Sequence, residues 1–283
     1  MIDILLDALL DTAKLLPFLF LTYLLLELIE HKAAEKTTAL AAKAGKFGPA
    51  VGGLLGAVPQ CGFSASAASL YAGGIISAGT LIAIFISTSD EMLPIMISEK
   101  VAPLRVLLIL GVKMLCGIVI GFCVDLALRM RKRADRKEKI AAICEEENCQ
   151  CHNGILFSSV FHTLRIAFFI FLLSFCIGLA IHFIGEEQIA AFASNAGVFT
   201  PIVAALVGLI PNCASSVVLT ELFLSGVIST GAVIAGLIAN SGVGMLVLFR
   251  VSKDLRANLF VVLTVFSSGA LVGILFDLLG IAL

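Results

Sequence analysis

The sequence predicts an all-α polytopic membrane protein: two inverted repeats of about five helical segments each, each with a broken or re-entrant helical hairpin, the two hairpins meeting at the midplane. Three observations predict it. First, 60% of the 283 residues are hydrophobic and only 14% are charged, with a mean hydropathy of +1.10. Soluble domains run nearer half apolar and about a quarter charged, so lipid rather than water is the main solvent for this chain. Second, the chain matches itself without gaps at an offset of 152 residues. Third, "GAVPQCGFSASAASLYAGG" from Gly56 and "GLIPNCASSVVLTELFLSG" from Gly208 interrupt two apolar runs with Pro, an amide and Cys at corresponding places.

The self-match runs from Leu55 to Leu126, and thirteen of the thirty-five positions from Leu55 to Ser89 are identical to their partners. They include Pro59/Pro211, Cys61/Cys213, Ser64/Ser216, Gly74/Gly226, Ser77/Ser229, Gly79/Gly231 and Ser89/Ser241, with Gly117/Gly269, Gly121/Gly273 and Asp125/Asp277 further along. Upstream, "DTAKLLPFLFL" from Asp11 resembles "HTLRIAFFIFL" from His162, one residue out of phase. Biased apolar composition would match roughly a tenth of positions by chance, so the repeat reflects shared structure.

Each half reads in the same order. Residues 1–128 form the first transmembrane repeat, 129–154 a basic linker containing Cys and His, and 155–283 the second repeat. A long helix comes first, over about 8–30 and 156–183. Two short apolar stretches then flank each Pro-x-Cys break, at about 47–58 and 62–73, and at 199–210 and 214–225. At roughly twelve residues, or about 18 Å of helix, neither arm crosses the ~30 Å hydrocarbon core alone, so each pair reads as a re-entrant hairpin. Two longer helices complete each half, over 77–98 and 102–128, then 229–249 and 255–281. Such a half makes an odd number of crossings, which inverts the second relative to the first. Loop charge agrees. Lys32, Lys36, Lys43 and Lys46, the segment "RMRKRADRKEK" from Arg129, and "RVSKDLR" from Arg250 are basic, whereas 185–198 carries Glu186 and Glu187 and no basic residue. The positive-inside rule places the basic loops in the cytoplasm and both termini outside. Lys100 and Arg105 flank a turn on the wrong side of this scheme. Asp3, Asp7 and Asp11, with no basic segment among them, do not resemble a cleaved signal peptide.

Net charge of −1 gives no reason to invoke nucleic acid. The partners left are the lipid bilayer, a small solute and a second copy of the chain as a homodimer. The eight Cys are not a secreted disulfide framework. Cys116, Cys123, Cys176 and Cys213 lie in apolar runs, Cys61 lies beside one, and the remaining three share a polar loop.

The paired breaks are where chemistry is expected. Proline donates no backbone hydrogen bond and disfavours helix at the residue before it. Freed backbone groups at membrane depth persist only where protein or water satisfies them. Paired broken helices in an inverted repeat point to a transporter's central site. The helix after the first hairpin reads "IFISTSDEMLP", which sets Ser87, Thr88, Ser89, Asp90 and Glu91 close to mid-span; its partner reads "LIANSGVGMLV", with Asn240 and Ser241 at that depth. Adjacent carboxylates in hydrocarbon are costly and expect a partner: a bound cation, a proton, or Lys113 in the next helix. Asp90, Glu91, Gln60, Asn212 and Asn240 offer hard oxygen ligands, and Cys61 and Cys213 would shift preference toward Mn²⁺, Fe²⁺, Zn²⁺ or Cd²⁺. The bland readings are that the amides satisfy hairpin backbone, that the two Cys pack as small apolar residues, and that Lys113 simply bridges a carboxylate. Asp125 and Asp277, near helix ends, read as structural, while Glu221 departs from its partner Ser69 and would suit a proton path.

A second constellation, "ICEEENCQCHN", gathers Cys144, Cys149, Cys151 and His152 among carboxylates. It could hold an accessory thiophilic metal, but its spacing matches no standard zinc module and a solvated loop is the simpler reading. No nucleotide, haem, zinc-protease or nucleophile-elbow motif is present, so the chain reads as a non-enzyme without a resident cofactor. Transport would be driven by an ion gradient, with H⁺ or Na⁺ as coupling ion, or by the substrate's own gradient.

On "GAVPQCGFSASAASLYAGGIISAGTLIAIFISTSDEMLPIM" and "GLIPNCASSVVLTELFLSGVISTGAVIAGLIANSGVGMLVLF" the chain resembles a bacterial family of ten-helix heavy-metal exporters, whose members are labelled arsenic-efflux proteins or manganese transporters. The likeness covers nearly the whole chain, and ten helices fit five per half. It implies export of a metal or metalloid across the bacterial inner membrane, with Gln60, Cys61, Asp90, Glu91, Asn212, Cys213, Asn240 and Ser241 as the motif positions. Three expectations follow: export of a divalent transition metal, Mn²⁺ first, by alternating access; carriage of an oxyanion, a metalloid such as arsenite, or a small organic acid on the same fold; and a channel or membrane-embedded enzyme, the least favoured.

Overall fold

The computed structural model describes residues 47–57, 61–89, 92–129 and 199–281 throughout, with helical positions between 6 and 24 and between 160 and 179. Among the described residues the regular structure is entirely helical. In the first half α1 (Gly48–Gly56), α2 (Cys61–Ala72), α3 (Ala78–Ser87), α4 (Met92–Ser98) and α5 (Pro103–Arg129) follow one another. In the second, α6 (Thr200–Gly208), α7 (Cys213–Leu224), α8 (Thr230–Ala239), α9 (Gly244–Val251) and α10 (Leu255–Leu278) repeat that order.

Matched residues shape matched elements. Pro49 and Pro201 sit in the first turns of α1 and α6, where the fixed φ of proline suits a helix start. Gly74 and Gly226 adopt φ of 73° and 75° after α2 and α7. There the Gly74 and Gly226 amides reach back to the Tyr71 and Phe223 carbonyls, at 2.9 and 3.0 Å. Glycine closes a helix in this left-handed conformation without a Cβ penalty. The hydroxyls of Ser77 and Ser229 then cap α3 and α8, accepting from the Thr80 and Ala232 amides at 3.1 and 3.0 Å.

Asp125 and Asp277 tie these caps to the following long helices. Asp125 accepts from the Gly79 amide at 2.9 Å and from the Ser77 hydroxyl at 2.6 Å. Asp277 repeats both bonds with Gly231 at 3.0 Å and Ser229 at 2.8 Å. Asp125 is buried and Asp277 exposed. Asp125→Ala, which leaves the Gly79 amide without its acceptor, should therefore lower unfolding free energy by about 2 kcal/mol. Asp277→Ala should cost less, since water can replace its carboxylate. Thermal unfolding of the two variants in detergent checks this, and an equal or reversed order would sink the burial argument.

Four stretches are long and apolar enough to cross a membrane: Ala78–Ser98, Pro103–Leu128, Thr230–Val251 and Leu255–Leu278. They fall into two layers. The Thr230–Val251 window is 89% buried and that of Ala78–Ser98 75%, against 28% and 33% for the other two. The inner layer is thus α3/α4 and α8/α9, and α5 and α10 pack outside it. Leu104, Leu107, Leu115, Val119 and Leu126 on α5, and Leu263, Leu271 and Leu275 on α10, face outward and exposed. Such an apolar outer surface suits hydrocarbon, and the chain is a multi-pass membrane protein.

The structure departs from the expected helices at one place in each half. Over 77–98, α3 ends at Ser87, Thr88 and Ser89 have left the helix, and α4 is described from Met92; the run over 229–249 is two helices, α8 and α9, separated at 240–243. The second half thus has two described breaks, one at its Pro-x-Cys elbow (209–212) and one a helix later, and the first half leaves the helix at Thr88 and Ser89, the equivalent of the later one.

Candidate functional site at the second pair of breaks

The first of these breaks begins with side chains turned back onto their own helix. The Ser87 hydroxyl donates to the Ala83 carbonyl at 2.5 Å, and the Thr88 hydroxyl and amide both donate to the Ile84 carbonyl, at 2.7 and 3.0 Å. Thr88 itself has left the helix, with φ −55° and ψ 130°. Local bonds of this kind compete with the helical ladder and favour its end. Three residues into the next segment stands Pro94. Pro94 has no amide to carry a hydrogen-bond ladder on from α3 into α4 (Met92–Ser98).

Lys113, one layer out on α5, closes this end of α3. Its ammonium donates to the Thr88 carbonyl. Ser87, Thr88, Ser89 and Lys113 are all at most 3% exposed. The C-terminus of a helix carries partial negative charge, so a cation is favoured there. A buried ammonium in turn requires partners such as this.

The second break is built without charge. Asn240 ends α8 in an extended conformation, φ −80° and ψ 108°. Its side-chain oxygen accepts from the Gly242 amide at 2.8 Å, and Gly242 turns through φ 54°. Ser241 and Val243 lie buried beside it. At the position equivalent to Lys113, α10 carries Val265, also fully buried. Gly242 and Val243 likewise occupy the places of Asp90 and Glu91. Of the two breaks, only the first carries charged residues.

The helices that follow the elbows are brought to these breaks crosswise. Cys61 opens α2 and Cys213 opens α7. Helix α2 packs on α9, and α7 packs on α4, so each half's outgoing arm lies against the other half's segment beyond its second break. On the α2–α9 seam Gly244, first residue of α9, meets Ser64: a methyl there would lie 2.6 Å from Ser64 Cβ and 2.9 Å from its carbonyl oxygen. Sequence reasoning missed Gly244, although its partner in the repeat, Met92, shows that a side chain fits the corresponding place in the first half.

Other expected site residues are placed as follows. Asn212 is half-buried and caps α7, its side-chain oxygen 3.5 Å from the Ala214 amide. Ser215 donates to the carbonyls of Asn212 and Ile210, at 2.8 and 3.1 Å. This is the backbone-satisfying role weighed for the amides. Glu221 stands exposed on α7. Gln60, Asp90 and Glu91, and the loop residues Cys144, Cys149, Cys151 and His152, lie outside the described residues. Among the described residues, no three or more His, Cys, Asp or Glu side chains come together.

A family model described as "Putative, 10TM heavy-metal exporter" matches residues 1–183 and 139–276 of the chain. No curated protein and no solved structure matches it.

Proposed function

From the premise that the chain belongs to this family of ten-helix heavy-metal exporters, we propose that it exports a divalent transition-metal ion, Mn²⁺ first, from a site at the 88–91 break. One observation carries the reading: the α3 terminus turns carbonyl oxygen into the buried interior and already holds a cation there, the Lys113 ammonium on Thr88. Asp90 and Glu91 follow Thr88 by two and three residues. They would supply the anionic oxygens, with Gln60, Asn240 and Ser241 as neutral donors and Cys61 and Cys213 as softer ones.

In this scheme the hydrated ion enters from the cytoplasm and exchanges water for these oxygens. One half then rocks against the other to expose it outside. Protons competing for Asp90 and Glu91 couple export to inward proton flow. The crosswise packing of α2 on α9 and of α7 on α4 suits such a motion, since each seam joins the two halves. The basic loops would lie in the cytoplasm of a bacterial cell and the two repeats would be inverted. The Cys144, Cys149, Cys151 and His152 loop would serve as an accessory site on the cytoplasmic face.

The same Lys113 ammonium supports a second reading, transport of an oxyanion, arsenite or a small carboxylate. It is the weaker one, because a ligand beside Thr88 would meet carbonyl oxygens as well as the ammonium. Thermal unfolding of the purified protein separates the two. Mn²⁺ at about a hundredfold over its dissociation constant should stabilise the fold by about 2.7 kcal/mol, and Asp90→Asn should remove the shift. Stabilisation by arsenite or carboxylates but not by divalent metals would overturn the cation reading.

A further inference from the structure

The two crosswise seams are unlike, although the repeat supplies both with matching elements. On α9, Gly244, Met245, Leu246, Val247 and Leu248 are buried in succession, so more than one full turn of this helix is covered on every side. On α4, its equivalent, Met92 and Met96 are buried, but Pro94 is exposed and Leu93 and Ile95 are half-buried. Helix α2 packs on α9 far more extensively than α7 packs on α4. The α2–α9 contact includes Ser64 against Gly244 near the start of both helices. Near the end of α2, Tyr71 lies in the field of Asp254, the cap of α10. Ser69 and Glu221, which correspond in the repeat, show the contrast best. Ser69 is fully buried and donates to the Ala65 carbonyl at 3.3 Å. Glu221 stands exposed, as do Ser225, Gly226 and Val227 beyond it. An exposed carboxylate is stable beside water and costly beside hydrocarbon. The end of the α7 seam is wet where that of the α2 seam is dry.

We propose that the two seams are the two gates of the transport path, with the α2–α9 gate shut and the α7–α4 gate parted in this structure, and that transport exchanges them. This rests on the transporter reading but not on the identity of the cargo. Helix α2 ends where the Ala78–Ser98 span begins, and α7 ends where Thr230–Val251 begins. The end of α2 lies by Asp254, just past the far end of Thr230–Val251, so the end of α7 is on the opposite side of the membrane. One gate thus faces each side, as alternating access requires. In the orientation that loop charge favours, the shut gate faces the cytoplasm, since Arg250, Lys253 and Arg256 border its mouth. Gly244 is what lets this gate close. Without a side chain it brings the α9 backbone onto Ser64, and backbones this close leave no room for water or an ion. Met92 holds the corresponding place on α4, so the other gate closes through a flexible side chain instead.

Two cysteine pairs test this: S64C with G244C in the shut gate, and M92C with S216C at the equivalent places in the parted one. A Cβ at position 244 would lie 2.6 Å from that of residue 64, and a relaxation of about 1 Å brings the pair to disulfide geometry. A specific protease site in the 129–154 linker reports the cross-link, as halves that stay joined until reduced. The native protein, treated alike with diamide, accounts for its own thiols. Without substrate, S64C with G244C should cross-link at least about tenfold faster than M92C with S216C. A Mn²⁺ gradient across vesicles should slow the first pair and speed the second. Locking the first pair should cut flux at least about tenfold, with recovery on reduction. Equal rates for the two pairs, or full flux from the locked protein, overturns the proposal. Milder variants guard against misfolding: E221C should react with a charged thiol reagent at least about tenfold faster than S69C, and equal reactivity overturns the proposal too. Should arsenite or a carboxylate exchange the two rates when no divalent metal does, the gates stand and the metal-export reading fails. Should no solute exchange them, the seams are fixed structure and the proposal fails.

Discussion

Vesicles carrying Asp90→Asn together with Glu91→Gln should lose Mn²⁺ flux by at least about a hundredfold, while native vesicles move the ion down an imposed gradient. The amides preserve size and hydrogen-bonding capacity but remove both negative charges, and a desolvated divalent ion cannot be held by neutral oxygens beside a fixed ammonium. Outer partners of metal ligands alone are typically worth 10–100-fold in affinity, so the two anionic ligands themselves should be worth more. With Lys113 left unbalanced, the double variant also acquires net positive charge at the break, which opposes entry of a cation. The comparison protein is Asp277→Asn. That carboxylate is exposed and engaged with Ser229 and Gly231, so its flux should stay near native. Equal flux from the double variant and the native protein would remove Asp90 and Glu91 from the transport path, and with them the metal site.

Much of the framework beneath that prediction was legible in the amino-acid sequence, because it is local and repeated. The 152-residue offset pairs Gly74 with Gly226, Ser77 with Ser229 and Asp125 with Asp277, and each pair makes the same turn, cap or tie. These positions bond within a few residues or one helix away, so identical residues yield identical geometry. The second pair of breaks was not read. "IFISTSDEMLP" and "LIANSGVGMLV" are apolar enough to pass for uninterrupted spans, and hydropathy is insensitive to backbone direction. The signals were present in finer detail. Pro94 has no amide to continue a helical ladder, Ser87 and Thr88 bond back onto α3, and Gly242 supplies the positive φ.

The crosswise seams were beyond the sequence for another reason. That α2 packs on α9, and α7 on α4, is a contact between residues more than about a hundred positions apart, and periodicity within either segment says nothing of its partner. Sequence did indicate that the elbows converge on something. The structure packs each outgoing arm on the other half's segment beyond its second break, with Ser64 against Gly244 on one seam. The asymmetry between halves was visible as Lys113 against Val265, but its meaning depends on Thr88 being a helix end, which only coordinates reveal.

Gly79→Ala and Gly231→Ala should be the most destabilising single-methyl changes in the inner layer, each costing about 3 kcal/mol or more. At Gly79 the new methyl would overlap the Gly121 carbonyl oxygen and lie 2.6 Å from Asp125 Oδ1. At Gly231 it would meet the Gly273 carbonyl oxygen and lie 2.5 Å from Asp277 Cγ. Neither neighbour can yield cheaply. The carbonyls belong to α5 and α10, and the carboxylates are fixed by the very amides of Gly79 and Gly231. Relieving the overlap means pushing α3 off α5, or α8 off α10, and breaking the tie as well. Helices in lipid approach this closely only through small residues, since dispersion and backbone contact replace the hydrophobic drive between them. Gly111 on α5 offers the control, because a methyl there meets nothing within 4 Å. Gly111→Ala should leave stability unchanged or raise it by about 0.5–1 kcal/mol through helix propensity. Thermal unfolding of the three variants in one detergent decides the matter: loss at Gly79 and Gly231 no larger than at Gly111 would mean that the helices do not meet at these glycines.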